Sequence, residues 1–70
     1  MNAYQRFLAE IARSHDGDIE ITGMLRYACG TLVLFKREYR SASFGDQLEH
    51  RVAFFRVENN VAHKVWDHIA

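Results

Sequence analysis

Seventy residues make one domain at most, and a chain this short buries only about 60% of its unfolded surface. Nearly half the residues are hydrophobic and 13% are aromatic, with no proline and one cysteine, so an intrachain disulfide is excluded. Nine basic residues balance nine acidic ones, which lacks the basic excess of a dedicated nucleic-acid binder, and no apolar run approaches the roughly 18 residues of a membrane span.

Residues 2–14 read as a helix. Tyr4, Phe7, Leu8, Ile11 and Ala12 recur at i, i+3, i+4, i+7 and i+8, one apolar stripe at helical period. Asn2 can cap its start, and Ser14-His15-Asp16-Gly17 is a stop signal in which Gly17 can take a left-handed conformation. Tyr4, Gln5, Arg6, Glu10 and Arg13 interrupt any early apolar run, so no signal peptide is visible. With the lone Cys29 suiting a reducing compartment, the expectation is a soluble cytoplasmic protein.

A first strand is expected over about 18–28. Ile19, Glu20, Ile21 and Thr22 alternate and are mostly β-branched, and Gly23 marks a bulge or bend. Cys29-Gly30 turns the chain into a second strand, 31–41, whose first half (Leu32 to Phe35) is apolar on both faces. Ser41–Gln47 is a turn cluster around Gly45-Asp46, and a third strand follows over about 48–58. Asn59-Asn60 then separates two runs rich in β-branched and aromatic residues. Asn tolerates positive φ, so a two-residue type I′ turn is expected there, with the fourth strand over about 61–69.

One helix followed by four strands joined by short links gives an α+β fold: an N-terminal helix packed on a curved, four-stranded antiparallel meander. A 13-residue helix is roughly 20 Å long and cannot cover both faces of such a sheet. Leu32, Val33, Leu34, Phe35, Phe54 and Phe55 demand cover on both. A second copy of the chain is the simplest layer, so a homo-oligomer, a homodimer first, is expected.

The run Phe54–Asp67 resembles the closing hairpin of the nuclear-transport-factor-2-like superfamily in its SnoaL-like polyketide-cyclase branch. Arg56-Val57-Glu58 and Trp66-Asp67 match that pattern at its spacing, while Asn60, Ala62 and Val65 stand where it prefers glycine, isoleucine and often histidine. The likeness in strand order covers about residues 18–70. Members of that branch are longer, with further helices forming a cone around a pocket; this chain keeps one helix and the sheet. The resemblance implies an acidic residue near Asp67 facing the pocket as a general acid or base.

The candidates for chemistry are therefore few. Asp67 is the catalytic candidate, and it needs burial that raises its pKa toward neutral; the plainer reading is a strand-end carboxylate in water or one paired with an arginine. On a regular strand His63 shares a face with Asp67, about 13 Å away by strand rise, too far for direct contact. His63 and His68 fall on opposite faces, so no two-ligand metal site forms on that strand, and no cofactor is implied. His15 belongs to the helix stop. Lys36–Arg40, with Tyr39 inside it, is the most basic stretch, but alternation splits it between faces and a solvated strand end outweighs a nucleic-acid groove. Phe35, Tyr39, Phe55, Trp66 and His63 are the residues that would line an apolar site for a small organic ligand. Two readings follow: a small self-associating protein that can bind an apolar molecule in the sheet, or a small isomerase, cyclase or hydrolase using Asp67.

Overall fold

The structure, a computed structural model, describes residues 2–70. Helix α1 (Ala3–Ser14) is followed by strands β1 (Asp18–Tyr27), β2 (Gly30–Ser41), β3 (Gly45–Glu58) and β4 (Val61–Ile69). The strands pair in chain order as an antiparallel meander, with α1 against one face. This is the α+β architecture implied by the spacing of apolar residues and turns.

Asn2 caps α1 reciprocally. Its side chain accepts the Gln5 N–H at 2.8 Å, and the Gln5 side chain accepts the Asn2 N–H at 3.2 Å. The buried line along the helix is narrower than the sequence stripe: Phe7 and Ile11 are buried and Ala3 packs against the core, while Tyr4 and Ala12 face water. One i, i+4 ridge, Ala3, Phe7 and Ile11, meets the sheet. Its end also differs from expectation. His15, in extended conformation, is the C-cap, and its N–H still reaches the Ile11 carbonyl at 3.1 Å. Gly17, at φ +100°, serves the entry into β1 instead, where a side chain would overlap the carbonyl oxygen of Glu38.

Val33 and Phe35 of β2 and Ala53 and Phe55 of β3 point toward the helix, meeting Phe7, Ile11 and Ala62 in one core. The Phe7 and Phe55 rings lie 5.0 Å apart. The helix therefore takes alternate residues of each strand and leaves the others, Leu32, Leu34, Val52 and Phe54, on the far side.

Both edge strands carry an irregularity. In β1 the register slips between Ile21 and Gly23, the position the glycine marked. In β4 it slips between the pairs Phe54↔Trp66 and Phe55↔Lys64, so Val65 is an extra residue. That bulge corrects the expected faces of His63: Asp67 lies on the helix side with Lys64 and Ala62, whereas His63, paired with Arg56, lies on the other, the same face as His68 and not the opposite one. Asn59 and Asn60 have φ of 52° and 63° between the paired Glu58 and Val61, a type I′ turn. The β2–β3 turn is tighter than expected. Ser41 pairs with Gly45, the Ser41 hydroxyl accepts the N–H groups of Ser43 and Phe44 at 3.3 Å each, and Gly45 has φ +72°. β3 accordingly begins at Gly45 rather than near Leu48.

Candidate functional site

Past the last turn of α1 the helix-side face of the sheet turns from apolar to charged. Register places Arg37 of β2 directly opposite Glu49 of β3, and the guanidinium reaches that carboxylate at 3.1 Å. Arg51, two residues on, donates to the other Glu49 oxygen at 2.5 Å. It also donates twice to Asp67 Oδ1, from Nε at 2.8 Å and from Nη2 at 2.5 Å. Asp67 Oδ2 takes His15 Nε2 at 2.5 Å and, more distantly, Lys64 Nζ at 3.4 Å. Arg37 donates back to the Asp16 carbonyl at 3.1 Å. Because Asp16 follows His15 in the chain, these bonds close a circuit: His15, Asp67, Arg51, Glu49, Arg37, Asp16. It clamps the linker after α1 to three strands.

Burial alone would push the Asp67 carboxyl up, since only 7% of its side chain is exposed. Hydrogen bonds and charge from His15 and Arg51 outweigh that and hold it below the usual value. Glu49 is likewise held low, first by its bond to Arg51, against desolvation, and then by Arg37. Burial disfavours the charged Arg51, but Glu49 and Asp67 together keep its pKa raised. An ionised Asp67 makes His15 Nε2 the donor. A general acid needs an upward shift, and the shift here runs the other way: Asp67 is a carboxylate paired with an arginine. The end of the helix covers it, through His15, and its two oxygens are occupied by donors. A carboxylate so held does not release a proton near neutrality.

His15, fifty-two residues from Asp67 in sequence, is the member that sequence reasoning missed. Its ring also sits 5.9 Å from that of Phe35, so it is the last aromatic of the core as well as the first group of the clamp.

The residues expected to line a ligand site do not converge. Phe35 and Phe55 are buried beneath α1. Tyr39 lies farther along β2 with the Arg37 guanidinium stacked 3.9 Å over its ring. Trp66 and His63 are on the opposite face. Of the surface depressions, one of about 400 Å³ is lined by Asp18, Glu38, Tyr39, Asp46, Gln47 and Leu48 near the β2–β3 tip. Another of about 360 Å³ lies at the other end, around Cys29, Arg26 and Arg56. Neither includes Asp67, His15 or Trp66.

The second feature is the face α1 leaves open. Register aligns Leu25, Leu32, Phe54 and Trp66 in one row across all four strands, with Leu34, Val52 and His68 in the next. Trp66, 38% exposed, stacks between Phe54 at 5.8 Å and His68 at 5.4 Å. Polar residues bound this patch at both ends: Glu20, Lys36 and His50 on one side, Arg56 and His63 on the other.

No known protein family, curated protein or solved structure matches the chain. Among the described residues no helix is long and apolar enough to cross a membrane, and no three His, Cys, Asp or Glu side chains gather as a metal site would require.

Proposed function

We propose that the chain is a self-association module in which two copies meet through the open sheet face, the two-fold contact centred on the row Leu25, Leu32, Phe54 and Trp66. The observation that carries this reading is that row: four large apolar side chains, side by side, on the face opposite α1. The strands are 10, 12, 14 and 9 residues long. At about 3.4 Å per residue and about 4.8 Å between strands, such a face spans on the order of 700 Å². A stable interface takes about 800 Å² from each partner, so the face is of the right size.

The edges favour a face-to-face contact over strand pairing. Both β1 and β4 carry bulges, and bulged edges are poor templates for a further strand. On the helix side Phe7 and Ile11 fill the space that a small apolar ligand would need, and the charged clamp holds α1 there. Ligand binding and acid–base chemistry at Asp67 are therefore not part of this reading.

Sedimentation equilibrium at micromolar concentration near neutral pH is the test. The expected mass is twice the 8.2 kDa of the chain. Trp66→Arg should give a monomer with unchanged far-ultraviolet circular dichroism. A monomeric wild-type protein under these conditions would end the proposal.

A further inference from the structure

We propose that this self-association is governed by protonation, through His50, His63 and His68; the inference rests on the self-association reading above. These are three of the chain's four histidines, and register puts all of them on the open face. His68 lies within the apolar patch, opposite Val52 and stacked on Trp66. His50 stands opposite Lys36, and His63 opposite Arg56. The fourth, His15, is on the other face with Asp67, and among the described residues it is the only histidine in an ion pair.

The other charged groups on the open face follow from the same register. β1 brings Asp18 and Glu20; β2 brings Lys36, Glu38 and Arg40; β3 brings Asp46, Arg56 and Glu58. Glu20 is engaged by Lys36 at 3.2 Å, and Asp46 lies 3.7 Å from Arg40 near the hairpin tip. On the β2 side the group directly across from His50 is thus a cation, as is the one across from His63, and the one across from His68 is apolar. On the β4 side His50 meets the backbone of Ala70, whose N–H donates to the His50 carbonyl at 2.9 Å. A proton added to any of the three lacks a side-chain carboxylate facing it across the strand pair.

An ordinary imidazole is neutral near pH 7.5 and charges below about pH 6.5. Burying it charged, without a partner, is unfavourable. A two-fold contact presents every histidine twice, so one interface receives the charge of both copies. The separated chains then bind more protons than the pair. By linkage, the dissociation constant rises as pH falls through the imidazole range and is flat above it. The clamp on the helix side rests on carboxylates held below their usual values, so it keeps their charges over this range, and the expected product of dissociation is a folded monomer.

The test is sedimentation equilibrium at about pH 7.5, 6.5 and 5.5 and constant ionic strength, with circular dichroism to follow the fold. The wild-type dissociation constant should rise at least about tenfold from the highest to the lowest pH. The triple variant His50→Gln, His63→Gln, His68→Gln should change less than about twofold over the same range. Should the triple variant not fold, His68→Gln alone should show a shallower dependence than the wild type. A wild-type dimer whose dissociation constant does not move with pH overturns this inference and leaves self-association standing. A variant that keeps the full wild-type dependence also overturns it. A monomer at every pH overturns both readings.

Discussion

The charge of Asp67 is settled by its partners, Arg51 on the neighbouring strand and His15 at the end of α1. Its place next to Trp66 in a strand-end pattern marked it as a candidate. The sign of its shift depends on His15 and Arg51, and His15 comes from the helix end fifty-two residues away. No local pattern connects the two, because their meeting is set by where α1 stops over the sheet. Strict alternation puts His63 on the face of Asp67, and one extra residue at Val65 breaks that alternation. The clamp makes Asp67→Ala a severe change. It leaves Arg51, with 15% of its side chain exposed, short of one of its two carboxylates. Breaking such a pair typically destabilises by about 3 kcal/mol, to be read from urea unfolding at neutral pH. A milder loss, about 1.5–3 kcal/mol, is expected for His15→Ala, which removes one hydrogen bond to a charged group. The pH dependence has a definite sign. Asp67 and Glu49 are held below their unfolded values, so the stability they contribute is complete above those values, about pH 4. It is lost as pH falls through the lower, folded-state values. Asp67→Asn should flatten the acid limb of unfolding free energy against pH, and an unchanged limb would mean that the clamp carries no linkage.

At the scale of elements most of the chain was readable, since period and turn chemistry act locally. Asn59-Asn60 specified its turn, Gly23 its bulge, and Asn2 the start of α1. The misreadings fell where two elements approach each other. Gly17 looked like a helix cap, but its conformation is demanded by the backbone of β2, whose Glu38 carbonyl leaves no room for a Cβ. Composition puts the start of β3 too late, because the hydroxyl of Ser41 and the left-handed Gly45 together close a tighter turn than it suggests. These two kinds of position predict opposite outcomes. Gly17→Ala combines a positive φ with a backbone clash and should cost at least about 2 kcal/mol in chemical denaturation. Asn60→Gly keeps a φ of 63° and meets no such demand, so it should be neutral or raise stability by a few tenths, about 0.5 kcal/mol at most.

For the whole molecule, the demand for cover on two faces was visible in Leu32–Phe35 before any coordinates. The structure divides that run: Val33 and Phe35 go to the helix, Leu32 and Leu34 to the open side. Sequence could not say which residues would lie beside them, because a row across a sheet is assembled from four separate stretches whose register bulges can shift. Trp66 joins Leu25, Leu32 and Phe54 only once the β4 irregularity at Val65 is in place. Fully burying one such side chain is worth about 1.5–3 kcal/mol, and each here is already partly covered, so the gain from a partner is a fraction of that per residue. Summed over two copies of the row, it is still large beside the few kcal/mol that hold a domain of this size. If folding and association are linked in this way, thermal stability depends on protein concentration by mass action. A tenfold rise in concentration adds about 1.4 kcal/mol per dimer, which for two such chains corresponds to roughly 3–5 °C in melting midpoint. Differential scanning calorimetry over two decades of concentration near neutral pH should show that rise in the wild type. Trp66→Arg, with the centre of the row disrupted, should melt lower and at a midpoint independent of concentration. A wild-type midpoint that stays constant would mean that the open face is stable in water, and that the helix side alone carries the fold.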